Sequence, residues 1–132
     1  RILVAEDNAL NRRVAERQLS MLGCQVAMVE NGTEVLAILE KEAFDVVLMD
    51  CNMPVMDGFE ATRAIRELEH AGLRSRNVIV AMTANATQED RDHCLATGMD
   101  DYISKPILMA PLREVLVRVS SMLMPVGGLR IG

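Results

Sequence analysis

Val46-Val47-Leu48-Met49 runs straight into Asp50, four apolar residues in a row that end on a carboxylate. A strand with one wet face alternates apolar and polar side chains. An unbroken run, half of it β-branched, instead fits a strand covered on both faces, as in a parallel sheet. Ile2 to Ala5, Val26 to Val29, Val78 to Met82 and a weaker Tyr102 to Ile103 have the same character. Between these runs the apolar residues follow the helical period. In the last such segment Leu112, Val115, Leu116, Val119, Met122 and Leu123 fall on one face behind Pro111, a favourable first-turn residue.

Local signals divide the chain at the same places. Asn31-Gly32 turns it before the helix carrying Val35, Leu36 and Leu39, and Gly72 and Gly98 stand where helices end. Thr87 with Asp90 has the spacing of a capping box. The helix it opens, Thr87 to Thr97, has only Cys94 and Leu95 as sizeable apolar anchors and is expected to be loosely held. Strand and helix alternate five times with short connections. This predicts a doubly wound, flavodoxin-like α/β fold: a five-stranded parallel sheet in the order 2-1-3-4-5, with helices on both faces. Residues 1–124 form the predicted domain, and the Pro- and Gly-containing residues 125–132 read as a linker or tail. The opening on Arg1 rather than Met suggests a piece of a longer protein.

Composition narrows the function classes. A net charge of −5 argues against a surface for nucleic acid or an anionic membrane, since both need clustered Lys and Arg. The apolar runs are far shorter than the ~20 residues of a membrane span, and no signal peptide is visible. Cys24, Cys51 and Cys94 are odd in number and form no CxxC pair, so each reads as a buried, unreactive thiol in a reducing, cytoplasmic setting. With Phe44, Phe59 and Tyr102 as the only aromatics, ten Met residues read as core filler.

In open parallel sheets ligands bind beyond the carboxyl ends of the strands. Glu6 and Asp7 follow the first run, Asp50 the third, Thr83 the fourth, and Ser104, Lys105 and Pro106 the fifth. Clustered carboxylates repel one another unless a cation intervenes, and hard oxygen ligands favour Mg2+, with Asp7 and Asp50 as the foremost ligands. An Asp50 oxygen is positioned to attack a phosphoryl donor whose charge the metal and Lys105 neutralise. Thr83 offers a hydroxyl to a phosphoryl oxygen, and a cis Lys105-Pro106 bond would aim the ammonium inward. Taken singly, each residue has a plainer reading: Asp7 or Asn8 as a helix cap, Asp50 as a solvated acid, Thr83 as a cap or packing residue, Lys105-Pro106 as a strand terminator. Complementary groups at four strand ends along one edge are what the plain readings leave unexplained. His70 and His93 lie away from that edge and read as surface residues.

Leu3-Val4-Ala5-Glu6-Asp7-Asn8, Leu48-Met49-Asp50-Cys51-Asn52-Met53-Pro54-Val55-Met56-Asp57-Gly58, Ala81-Met82-Thr83-Ala84 and Ser104-Lys105-Pro106 together resemble the response-regulator receiver domain of two-component signalling. The likeness extends from Ile2 to about Leu123. It implies that Asp50 is the phosphoacceptor and that Glu6, Asp7, Asp50 and the backbone carbonyl of Asn52 surround Mg2+, or Mn2+ in its place. Lys105, Thr83 and Ala84 would adjoin the phosphoryl group. Thr83 and Tyr102 would form the switch, Asn52 and Asn85 would tune hydrolysis, and Pro54, Gly58 and Pro106 would be structural. Glu6-Asp7-Asn8 followed by Asn11 is most similar to receivers of hybrid sensor histidine kinases, whose parent chains can be anchored in the inner membrane. The implied partners are a sensor histidine kinase or a histidine phosphotransfer protein, with docking near Arg12 and Arg13, and a homodimer through helices four and five. Such a domain assists its own phosphotransfer and dephosphorylation without being a turnover enzyme. The alternative, a small metal-dependent phosphohydrolase with an Asp nucleophile, is opposed by Asn52 where a general-acid Asp is needed. A nucleotide-binding module is opposed by the lack of a Gly-rich loop after the first strand.

Overall fold

The doubly covered strand expected at Val46 occupies the centre of the sheet. In the computed structural model, which describes residues 1–84 and 87–123, β3 (Val46–Asp50) is buried along its whole length. It lies between β1 (Ile2–Ala5) and β4 (Val78–Thr83), with β2 (Val26–Val29) and β5 (Asp101–Ser104) at the edges. All five strands are parallel, in the order β2-β1-β3-β4-β5, as the alternation predicts. The helices are α1 (Ala9–Met21), α2 (Gly32–Lys41), α3 (Gly58–His70), α4 (Gln88–Thr97) and α5 (Met109–Leu123).

The pleat divides each run between two cores. Leu3, Ala5, Val47, Met49, Ile79 and Ala81 pack with Val35 and Leu39 of α2, Ala61 and Ile65 of α3 and Cys94 of α4. Their neighbours Ile2, Val4, Val46, Leu48, Val78, Val80 and Met82 face the other way, onto Ala15 and Leu19 of α1 and Leu112, Val115 and Val119 of α5. Removing one such Leu or Val from water contributes about 1.5–3 kcal/mol. A period of two within each strand therefore fixes which helix covers which face.

The helix boundaries follow their caps. Asn8 caps α1, its side chain accepting from the Asn11 N–H, and Asn31 caps α2 in the same way from Glu34. Asp57 and Glu60 make a reciprocal capping box on α3. Thr87 caps α4 but the box expected there is one-sided: its hydroxyl accepts from the Asp90 N–H and donates to the Asp90 carboxylate, which does not reach back to the Thr87 N–H. Gly98 ends α4 at φ 116°, where only glycine is unstrained. Three further expectations need correction. Leu95 is not an anchor of α4, since it is 49% exposed and leaves Cys94 as the helix's one buried side chain. Met122 is likewise exposed, whereas Pro111, the third residue of α5, stands in its first turn as expected. Cys24 is half-buried at the partly covered edge beside β2. The methionines divide: Met49, Met53, Met82 and Met99 fill core, whereas Met21 is exposed. Among the described residues no helix is long and apolar enough to cross a membrane. The tail expected at 125–132 lies outside the described residues.

Candidate functional site

Strand register assembles the carboxylates. Ala5 of β1 pairs with Met49 of β3, so Glu6, just past β1, and Asp50, the last residue of β3, stand side by side. Asp50 is 1% exposed and Glu6 3%, while Asp7 is exposed. One oxygen from each of the three lies within 4.8 Å of the others. The cap of α1 is Asn8, so Asp7 is not recruited for that task; the Asn8 N–H instead donates to Glu6 Oε2 at 3.1 Å. Asp50 Oδ1 accepts from the Asn52 N–H at 3.0 Å, and Asp50 Oδ2 accepts from Lys105 Nζ at 2.8 Å. The same ammonium lies 3.1 Å from Glu6 Oε1. Burial pulls the Lys105 pKa down, but its hydrogen bonds to Asp50 and Glu6 outweigh this and hold it above the ordinary lysine value. Lys105 pairs with Glu6 and Asp50 but not with the exposed Asp7, so the three-carboxylate cluster keeps negative charge at a half-open, oxygen-rich edge. That donor set fits a small hard cation such as Mg2+, with water filling its remaining positions.

The surrounding loops hold these groups by backbone contacts. The Arg12 guanidinium donates to the Glu6 carbonyl at 2.8 Å, whereas Arg13 is exposed on the same turn. The Cys51 N–H continues the ladder to the Met82 carbonyl at 3.0 Å, and its own carbonyl accepts from the Gly58 N–H at 3.2 Å. α3 approaches so closely that a Cβ on Gly58 would stand 2.3 Å from the Asp50 carbonyl oxygen, which is why that position is glycine. Pro54 precedes Val55 at φ 69°, and the Met56 N–H closes a tight turn onto the Pro54 carbonyl at 2.7 Å. Lys105 and Pro106 are joined by a cis peptide bond, and the Lys105 N–H donates to the Thr83 carbonyl at 2.8 Å. Thr83 is 7% exposed at the tip of β4, and Ala84 beside it is exposed. Asn52 is exposed, and Asn85 lies outside the described residues. Tyr102 is half-buried under α4, with the Arg91 guanidinium 4.8 Å from its ring centroid.

Residues 2–117 match the family model of the response regulator receiver domain. This chain belongs to that family. The receiver's relatives include the hybrid signal transduction histidine kinase B of Dictyostelium discoideum, 44% identical over 81% of this chain and 6% of that protein. It therefore spans only a small part of the curated relatives it matches. The receiver domain of sensor histidine kinase PA1611 from Pseudomonas aeruginosa PAO1, solved with a magnesium ion coordinated in its active site cleft, is 44% identical with a TM-score of 0.78. That likeness covers 89% of this chain and 93% of the other. The receiver domain of Saccharomyces cerevisiae Ssk1, solved with the histidine phosphotransfer protein Ypd1, is 26% identical with a TM-score of 0.88, covering 96% and 92% of the two chains.

Sequence reading misses three features of the site region. The turn at Val55 is concealed because a β-branched residue is the wrong type for a left-handed backbone. Arg12, expected near the acidic pocket as a docking residue, also holds the Glu6 carbonyl. Cys51 and Cys94 touch, Sγ to Sγ at 3.9 Å, across 43 residues of sequence. His93 is exposed as expected but stacks on Phe59, with ring centroids 4.1 Å apart.

Proposed function

We propose that this receiver accepts a phosphoryl group on Asp50 from a phosphohistidine donor, in a reaction that needs Mg2+ held by Glu6, Asp7, Asp50 and the backbone carbonyl of Asn52. The observation that carries the reading is the cluster of three carboxylates at one sheet edge, two of which, Glu6 and Asp50, hold Lys105, with Asp50 almost wholly buried yet hydrogen-bonded through both oxygens. An Asp50 oxygen forms the new bond to phosphorus as the phosphorus–nitrogen bond of the donor breaks, and the imidazole leaves and takes up a proton. Bound Mg2+ supplies charge neutralisation of the phosphoryl oxygens. Lys105, which holds Asp50 Oδ2 in the resting state, turns its ammonium to a phosphoryl oxygen, and the Thr83 hydroxyl donates to another. Ala84 leaves room for donor and water, and Asn52 and Asn85 position the water that later hydrolyses the acyl phosphate. Mn2+ substitutes, because the ligands are hard oxygens.

The switch reading rests on α4. Cys94 is its one buried side chain, and Arg91 covers the ring of Tyr102, so a movement of Thr83 toward the phosphoryl group shifts a weakly anchored helix and the tyrosine together. Leu10 is 67% exposed on α1 beside Arg12 and Arg13, giving a donor an apolar contact next to the acceptor. A sensor kinase or histidine phosphotransfer protein docks there, and a homodimer forms through α4 and α5. The domain, residues 1–124, sits in the cytoplasm, and residues 125–132 are its C-terminal linker or tail.

The test is transfer from a labelled phosphohistidine protein. Label moves to the wild type in Mg2+, stays on the donor with chelator or Asp50→Asn, and moves more slowly when Arg12 and Arg13 are both replaced by Ala. Transfer to Asp50→Asn at the wild-type rate would refute the assignment.

A further inference from the structure

Cys51 and Cys94 are the nucleophilic groups for which phosphoryl transfer has no use. Their sulfurs lie 3.9 Å apart, and the residues are 3% and 1% exposed. Cys51 follows the acceptor directly and is fixed by backbone hydrogen bonds to Met82 on β4 and Gly58 on α3. Cys94 is the one buried side chain of α4, whose other large apolar residue, Leu95, is exposed. Cys24 packs against the opposite face of the sheet and cannot compete for either partner. We propose that Cys51 and Cys94 form an oxidisable dithiol, a modification site whose disulfide staples α4 onto the acceptor strand.

The sulfurs must close by roughly 2 Å to reach disulfide bonding distance, a change that side-chain rotation and a small helix adjustment supply. Burial keeps the pair shielded while α4 is seated, so oxidation waits on transient lifting of the helix. Cys94 Sγ, exposed in that state, attacks a hydroperoxide. The oxygen–oxygen bond breaks, leaving a sulfenic acid and one molecule of water when the peroxide is hydrogen peroxide. When α4 reseats, Cys51 Sγ attacks Cys94 Sγ, the sulfur–oxygen bond breaks, and a second water leaves with the thiol proton. Two thiols are oxidised and one peroxide is reduced. The bond turns the one buried anchor of α4 into a covalent link and so opposes the helix's displacement. That consequence for phosphoryl signalling rests on the receiver reading; the thiol chemistry does not.

The experiment uses the Cys24→Ser protein treated with hydrogen peroxide under native conditions and followed by intact mass, non-reducing peptide mapping and amide hydrogen exchange. The expected result is loss of two hydrogens, a peptide joining Cys51 to Cys94, and at least tenfold slower exchange in residues 88–97, all reversed by dithiothreitol. Cys94→Ser in the same background should show no slowing. Two thiols still free for alkylation after denaturation, separate sulfinic acids, or a disulfide that leaves exchange in α4 unchanged would each overturn the proposal. Because no phosphoryl donor is present, failure here is distinguishable from failure of Asp50 as an acceptor.

Discussion

Gly58→Ala sets two effects against each other. At an unstrained helical position, replacing glycine by alanine stabilises by up to about 1 kcal/mol through backbone propensity. Here the new Cβ would stand 2.3 Å from the Asp50 carbonyl oxygen and 2.9 Å from Met49 Cγ. Both neighbours are immobile, since Met49 is fully buried and Asp50 is held in the sheet. The first turn of α3 and the tip of β3 must therefore separate by roughly 1 Å to restore ordinary contact. Overpacking of this kind costs at most about 3 kcal/mol in most cores, so the net effect is a loss of about 2 kcal/mol. For a domain of this size that is a fall in Tm of about 8 °C. The same displacement moves the acceptor carboxylate, and a misplacement of about 1 Å can cost on the order of 100-fold in rate. Urea unfolding gives the first quantity and acetyl phosphate labelling the second. A variant as stable as wild type, or more so, with an unchanged labelling rate would show that the close approach does not constrain the site.

Mg2+ should raise the melting temperature of the wild type through preferential binding to the folded state, by about 2.7 kcal/mol at 100 times Kd; Asp7→Asn should largely remove the shift in a thermal scan with chelator as the reference. Equal shifts in both proteins would place the ion elsewhere. Val55→Asn should stabilise by about 1 kcal/mol in chemical denaturation, because Val55 is 82% exposed and held at φ 69°, a conformation that asparagine tolerates and a β-branched residue does not. A loss of stability would mean that the Val55 side chain holds a contact that outweighs the strain.

The three inner strands were legible because a parallel sheet covered on both faces needs unbroken apolar runs, whereas the edge strand β5, Asp101–Ser104, offered only Tyr102-Ile103. The site was legible for a related reason. Residues that follow buried strands emerge at one edge, so Glu6, Asp50 and Lys105 could be placed together from their positions after Ala5, Met49 and Ser104. Contacts set by how a helix docks were not legible. Leu95 looked like an anchor by residue type, but on a helix with so short an apolar stretch the docking angle buries Cys94 and leaves Leu95 in water. Arg66 on α3 gave no signal at all, yet its guanidinium joins the Gly98 and Asn77 carbonyls, Glu69 and Asp100, tying the end of α4 to the start of β4. Apart from Glu69, three residues on in the same helix, these partners come from two separate loops and have no spacing to read.

Intact-mass analysis after incubation with acetyl phosphate tests the central claim most directly. The wild type in Mg2+ should gain a single phosphoryl group, while Asp50→Asn and the wild type in chelator should gain none. Equal gain by Asp50→Asn, or no gain by the wild type in Mg2+, would contradict the assignment of Asp50 as the acceptor of a metal-dependent transfer.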